Sequence, residues 1–442
     1  MLFKLSAVAL ALIASTSVSA AYPPPRSSYI QSEQLAPVIS STEAEIIPNS
    51  YFIVFKSGVR ASDHSAWVHE LADVSATGCH GATDEENSFS GVKHVYDMGD
   101  FQGLAGQFHP DVLNEIRKNP DVDYIERDQR VYAYDIQKRA PWGLARISHR
   151  KALTFGTFNK YDHNPNGGDG VTVFVIDTGI NINHDEFQGR ASWGKTIPSG
   201  DHDADDNGHG THCAGTIGSR KYGVSKKVDV VAVKVLRSNG SGTMSDVVAG
   251  VDFAVSRHKA LKSKKGRKYR GSVANMSLGG GKSRPLDAAV ANAVGAGLHF
   301  AVAAGNDNRD ACNYSPAGVS VAITVGASTR ADSRAYFSNH GSCVDIFGPG
   351  LDIESTWIGS KDAKRTISGT SMASPHVAGL VAYYLSLAPE DNSGYYAGVI
   401  TPQDMKDYLI AKATRDILTD IPGKTPNLLI YNNAAEDHFN AW

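Results

Sequence analysis

The feature that most constrains the fold is a set of five apolar runs placed from about residue 142 onward. They are "VTVFVID" (171–177), "VDVVAVKVL" (228–236), "SVANMSL" (272–278), "HFAVAAG" (299–305) and "VAITVGA" (321–327). Each is rich in β-branched residues and lacks the polar alternation of a half-exposed strand. Strands buried on both faces read this way, and such strands belong to parallel sheets. Between several of them lie stretches with helical apolar spacing, such as "TMSDVVAGVDFAVSRH" (243–258) and "RPLDAAVANAVGAG" (284–297). Strands alternating with helices imply an α/β domain whose parallel sheet is covered by helices on both faces. A functional site in that architecture gathers at the carboxyl ends of the strands.

The N-terminal part reads differently. "MLFKLSAVALALIASTSVSA" (1–20) has one lysine, an apolar stretch and a small-residue end, the pattern of a cleaved secretory signal. Its apolar core is too short to span a membrane, and no later segment is long enough. Residues 21–47 are Pro- and Ser-rich and are expected to form a flexible leader. From about 48 to 130 the pattern is strand, helix, strand, strand, helix, strand. The first helix places Trp67, Leu71 and Val74 on one face; the second opens at Pro110 and Asp111 and aligns Val112, Leu113 and Ile116. The order βαββαβ is the ferredoxin-like pattern. A polar connector follows, and its Lys138–Arg139 pair reads as a processing site or as plain linker. The expected domains are therefore 48–139 and 140–431, with a tail at 432–442.

The 442 residues carry a net charge of −3, so neither a nucleic-acid footprint nor a polybasic membrane patch is implied. The locally basic run at 257–270 reads as a solvated loop. Cys79, Cys213, Cys312 and Cys343 lack a zinc-finger spacing, and an oxidising route permits a disulfide.

Four short segments carry the chemistry. Asp177 ends a buried strand in "VIDTGI", where Gly179 lets the chain turn; alone it reads as a turn or cap aspartate. "NGHGTHCAG" (207–215) sets His209 and His212 three apart beside Cys213. That supports either a metal site, with Asp203, Asp205 or Asp206, or a single histidine acting as a base. The aspartates otherwise read as a solvated loop. Asn306 ends "AAGN" and is either a turn former or an amide aimed at a developing oxyanion. "SGTSMASPHVAG" (368–379) opens an apolar helix, with Pro375 just inside. Ser371 or Thr370 suits an N-cap there, but a helix mouth also favours negative charge. If the helix starts at Ser371, Pro375 cannot supply the N–H for the Ser371 carbonyl.

Together the segments run Asp, His, Ser, each beside glycine, and the chain resembles the subtilisin-like serine peptidases over about 142–430. The resemblance is nearest to the proteinase K and cerevisin branch, through "HGTHCAG", "APWGLARISHR" and "FSNHGSCVDIFGPG". It implies a serine endopeptidase of broad specificity, made as a zymogen. The small domain would be its inhibitory propeptide and folding assistant, whose tail lies product-like across the cleft until cut near Arg139. Ser371 would be nucleophile, His209 base and acid, and Asp177 the group orienting His209. Asn306 and the Ser371 N–H would form the oxyanion hole.

"SNGSG" (238–242) and "SLGGG" (277–281) resemble the segments that pair with an extended peptide. Gly240, Ser241, Gly242, Ser277, Leu278, Gly279 and Gly280 would then line the substrate, with Met244 and Leu278 at an apolar subsite. No acidic P1 determinant is present, against a dibasic processor. The resemblance also pairs Cys312 with Cys343 and leaves Cys213 a free thiol. It implies no cofactor for the chemistry. It suggests a structural calcium at Asp345, with the Ser320 and Ala322 carbonyls, Ser320 replacing the family's usual proline. Expected partners are protein and peptide substrates and its own propeptide; a monomer in the secretory pathway, vacuolar or extracellular, is expected.

Three rivals make different demands. A dead subtilase would lose a triad member, a sedolisin-type acid peptidase would carry carboxylates at 209 and 306, and a metal hydrolase would use His209 and His212. Asn239, Asn275 and Asn313 begin glycosylation sequons, none well placed.

Overall fold

The computed structural model describes residues 35–39, 46–76, 91–129, 135–264, 269–388 and 399–433. The expected signal peptide, most of the leader, Cys79 and the last residues of the tail lie outside them.

The N-terminal unit contains β1 (Val38–Ile39), β2 (Ile46–Phe55), α1 (Ala61–Ala76), β3 (Gly91–Met98), β4 (Phe101–Gln107), α2 (Pro110–Arg117) and β5 (Val122–Gln129). Its sheet order is β1-β5-β2-β4-β3. The last four strands have the ferredoxin-like arrangement. The leader differs from expectation at 35–39: β1 pairs in parallel with β5, and Ala36 is buried. Pairing satisfies backbone groups on an otherwise open edge of β5. On α1 the buried line is Ala61, Val68 and Ala72, with Trp67 and Leu71 only partly covered. The small residues let the helix lie close to the sheet. Val112, Leu113 and Ile116 are buried on α2 as their spacing requires.

The connector also departs from expectation. β6 (Asp135–Lys138) pairs antiparallel with β7 (Lys160–His163). The Gln137 amide donates to the Lys221 carbonyl at 2.8 Å and accepts from Lys226 Nζ at 2.6 Å. Residues 135–138 therefore belong with the catalytic unit, and do not lie along the expected substrate strands. Arg139 turns the chain with φ 58°, and the Ala140 N–H bonds the Asn159 carbonyl.

The larger unit continues with α3 (Trp142–Ile147), β8 (Val171–Asp177), β9 (Ala191–Thr196), α4 (His209–Gly218), β10 (Asp229–Lys234), α5 (Met244–Lys264) and β11 (Gly271–Met276). Then come β12 (Gly280–Gly281), α6 (Arg284–Gly295), β13 (His299–Ala303), β14 (Tyr314–Ser315), β15 (Ile323–Ser328), β16 (Ile346–Pro349), β17 (Ile353–Thr356) and β18 (Lys364–Ile367). The last elements are α7 (Thr370–Leu387), α8 (Pro402–Lys412), β19 (Thr414–Arg415) and β20 (Leu428–Leu429). The basic run at 257–270, expected as a loop, is helical as far as Lys264.

The nine-stranded sheet runs β19-β20-β16-β15-β13-β11-β8-β10-β9, parallel except for the β19–β20 pair. The five apolar runs are β8, β10, β11, β13 and β15. Alternate residues of one strand enter opposite cores. Val171, Val173 and Val175 pack on the face of α4 and α7, whereas Phe174 and Ile176 pack on the face of α5 and α6. Helix α7 is buried on nearly every side and is mostly apolar from Val377 onward. From β8 the chain goes outward to β9 at the sheet edge, comes back to β10, and then crosses to β11 on the other side of β8. That reversal opens a crevice at the carboxyl ends of β8 and β11. Tyr431 is buried and Asn432 bonds the Ile147 and Asp162 carbonyls, so the packed unit continues past residue 431. No helix among the described residues is long and apolar enough to cross a membrane.

Candidate active site

Asp177 closes β8 at the crevice and is fully buried. Its Oδ1 accepts from the Thr178 N–H at 2.8 Å and from His209 Nδ1 at 2.7 Å. His209 is the first residue of α4. The close approach is set by glycine: a Cβ on Gly210 would lie 2.1 Å from the Gly179 carbonyl oxygen. Burial is the largest influence on His209 and lowers its pKa. The charge and hydrogen bond of Asp177, with the charge of Asp205, outweigh it, and the net direction is upward.

Asp205 is a residue that sequence reasoning left in a solvated loop. It is buried, and its two oxygens accept from the N–H groups of Asn207, Gly208 and Thr211 and from the hydroxyls of Thr178 and Thr211, at 2.6–3.1 Å. It caps the start of α4 and so holds His209. Among three similar aspartates, no local pattern marks the one that turns inward.

Ser371 lies in the first turn of α7. The N-cap is Gly369, with no side-chain cap, so neither Ser371 nor Thr370 serves that purpose. Thr370 instead holds Asn306: its N–H and hydroxyl both donate to Asn306 Oδ1, at 2.8 and 2.9 Å. Two donors on Oδ1 fix the amide orientation, and its NH2 keeps no hydrogen bond among the described residues.

The irregularity at Pro375 now has a partner. The carbonyl it leaves without an N–H is that of Ser371. This oxygen accepts from the Ser277 hydroxyl at 2.8 Å and from the Cys213 thiol at 3.4 Å. Ser277 Oγ in turn accepts from Asn275, whose Oδ1 accepts from Ser374. The helix mouth is thus anchored to β11 by side chains. Ser371 Oγ donates to the Ser277 carbonyl at 3.0 Å. Among the described residues it makes no bond to His209, a looseness common in catalytic sites without substrate. Asn275 is fully buried in this network, which removes it as a glycan acceptor in the folded protein.

His212 does not join His209. Its Nε2 faces the Ile353 carbonyl at 2.9 Å, and burial takes its pKa down to about 3. The titratable groups that do cluster are Asp177, His209 and Cys213. Burial pushes the Cys213 thiol well up, so it stays protonated.

Met244, just after the first expected substrate segment, reaches the second. Gly240, Ser241 and Gly242 are exposed in a loop closed by the Arg237 N–H, which donates to the Ser241 carbonyl at 2.9 Å. The end of Met244 lies 2.7 Å from where a Gly280 Cβ would stand, so this glycine makes room for it. Gly280 and Gly281 pair with Ser315 and Tyr314, Leu278 is partly buried, and Gly279 faces the Ser315 carbonyl. Cys312 and Cys343 are disulfide-bonded, and Cys213 is free and buried.

Asp345 departs from the expected cage. Lys406 Nζ lies 2.8 Å from its Oδ2, and the same ammonium donates to the Ser320 and Ala322 carbonyls. Burial raises the Asp345 pKa, and the Lys406 charge and hydrogen bond pull it back.

Comparison with known proteins gives the family. A profile described as "Subtilase family" matches residues 168–438, and one described as "Peptidase inhibitor I9" matches 50–134. The chain is a subtilase. This subtilase is 58% identical over 422 residues to subtilisin-like serine protease Pen c 2 of Penicillium citrinum, covering 91% of this chain and 92% of the relative. It is 55% identical to alkaline protease 2 of Aspergillus fumigatus, covering 91% and 85%. A solved cold adapted subtilisin-like serine proteinase matches with TM-score 0.59 and 46% identity, over 67% of this chain and 99% of that one. The subtilase is a serine protease that carries its own inhibitor-type propeptide, a zymogen.

Proposed function

We propose that Ser371, His209 and Asp177 are the nucleophile, the acid–base and the orienting carboxylate of a broad-specificity endopeptidase. The observation that carries this is the 2.7 Å bond from His209 to the buried Asp177, beside the helix mouth that displays Ser371. A neutral serine hydroxyl is a poor nucleophile without a base. Rotation of Ser371 about χ1 takes Oγ from the Ser277 carbonyl to His209 Nε2. That nitrogen takes the proton as Oγ attacks the peptide carbonyl. The oxyanion is met by the Asn306 NH2 and the Ser371 N–H. The imidazolium, stabilised by Asp177, then protonates the leaving amine, and water repeats the steps on the acyl-enzyme.

The substrate adds as a strand between 238–242 and 277–281, so recognition rests largely on backbone. We assign the enzyme to the proteinase K and cerevisin branch, as a monomer in the secretory pathway bound for the vacuole or the exterior. Supporting this are the signal-like N-terminus, the disulfide and the free thiol beside His209. The propeptide folds the enzyme, inhibits it and is removed by the enzyme itself. A fluorophosphonate probe should label Ser371, and Ser371→Ala should neither label nor mature when expressed alone. Normal maturation of that variant in a host lacking similar proteases would refute autocatalysis; labelling elsewhere would refute the nucleophile.

A further inference from the structure

A cation belongs at Asp345, and the structure assigns that place to a side chain. Lys406 Nζ is 2.7 Å from the Ser320 carbonyl, 2.8 Å from the Ala322 carbonyl and 2.8 Å from Asp345 Oδ2. An ammonium has three protons, and each meets one oxygen. Lys406 is 6% exposed, so the charge is held away from water. Asp345 Oδ2 also accepts from the Thr324 N–H at 2.8 Å, which fixes the carboxylate. Calcium takes about 6–8 oxygens at roughly 2.3–2.6 Å. It cannot share these three with an ammonium already in contact with them, because two cations at that separation repel. The residues present do not fit a metal ion.

The position of the lysine explains its use. Lys406 is in the second turn of α8, whose start is fixed by a capping box of Thr401 and Asp404. Ser320 and Ala322 precede β15, and Asp345 precedes β16. One side chain therefore ties a helix to the starts of two neighbouring strands. A bound metal stabilises in proportion to the logarithm of its free concentration. A tethered ammonium is not lost by dilution or chelation.

We propose that Lys406 is a built-in replacement for a structural cation, keeping the corner of α8, β15 and β16 folded without calcium, and that removing the side chain turns the cradle into a calcium site. The inference stands on this geometry and not on the catalytic assignments.

The test uses mature enzyme blocked with a serine-directed inhibitor, so that self-digestion does not intrude. Melting temperature is read in chelator and in millimolar calcium for wild type, Lys406→Met and Lys406→Ala. Lys406→Met fills the space without charge and should melt roughly 5–15 °C lower, with no calcium response beyond that of wild type. Lys406→Ala should melt lower in chelator and regain at least half the loss in calcium, but not in magnesium, whose shorter octahedral bonds the cradle does not offer. It should also bind one more terbium ion than wild type. Calcium held elsewhere shifts all three proteins alike, so the differences isolate this cradle. The proposal is overturned if Lys406→Ala gains no calcium response over wild type, or if Lys406→Met is as stable as wild type. If neither variant accumulates, reductive methylation of blocked wild type in chelator decides: unmodified Lys406 supports the proposal, and methylated Lys406 overturns it.

Discussion

Acid should unfold this protease through its buried histidines. His212, His299 and His376 are all buried, and burial is the first cause that lowers their pKa values, to about 3, about 3 and about 4. His209 and His376 push His212 down further, against its bond to the Ile353 carbonyl. His299 Nδ1 has no hydrogen-bond partner among the described residues. In the unfolded chain each titrates near the ordinary value of 6.5. A folded value below the unfolded one means stability that is complete above about pH 6.5 and drains as pH falls toward the folded values. At about pH 5 the unfolded imidazoles are almost fully protonated and the folded ones neutral. Each group then loses ~1.5 decades, or ~2 kcal/mol, and three lose roughly 6 kcal/mol. Domains are stable by about 5–15 kcal/mol in all. His258, lowered by burial and by Lys262 and Lys259, acts in the same direction. His209 acts oppositely: its raised value gives stability present below the unfolded pKa and lost as pH rises through the folded one. The assay is the denaturant midpoint of inhibitor-blocked mature enzyme between about pH 7.5 and pH 5, with the slope read as protons taken up. His299→Phe keeps a ring in the space and should remove about one proton from that slope. A midpoint that does not move over this range, or an unchanged slope in His299→Phe, would refute the reasoning.

Other outcomes follow from the same geometry. Asn306→Ala should lose ~100- to 1000-fold in kcat with little change in folding, the figure for one oxyanion donor being itself drawn from a subtilisin; unchanged turnover in a folded variant would end that assignment. Ser277→Ala should lower kcat roughly 10-fold with KM little changed, because the freed Ser371 carbonyl lets the nucleophile drift. Adding Pro375→Ala, which restores a backbone N–H for that carbonyl, should recover part of the loss, and no recovery would show that the anchor is not the cause. Amino-terminal sequencing of the mature enzyme should read a start at or before Asp135, because β6 is paired with β7. A start at Ala140 would mean that this strand is lost on maturation.

Much of the fold was legible in the sequence because it depends on local patterns. A strand buried on both faces must be apolar throughout, and β8, β10, β11, β13 and β15 are. Strand β9 was missed because "ASWGKT" carries the glycine and polar residues that an edge tolerates; β16 is paired on both sides by β15 and β20, but "IFGP" is only four residues long and half of it is glycine and proline. The spacing of glycines around Asp177 and His209 was visible because backbones that nearly touch exclude a Cβ. Pro375 pointed to a carbonyl without its helical partner, but not to what would replace that partner.

The sequence by itself determined the layered α/β architecture, the small βαββαβ unit and the order of the candidate triad. Only the tertiary structure decided which polar groups are buried against which. It chose Asp205 among its neighbours, gave the Ser371 carbonyl to Ser277 and Cys213, drew residues 135–138 onto β7 and brought Lys406 to Asp345. The physical reason is that apolar periodicity and glycine report conditions at a residue's own position. The worth of a buried charge or hydrogen bond depends on a partner from elsewhere in the chain. A lysine on α8 looks like surface until three oxygens from the starts of two strands surround it.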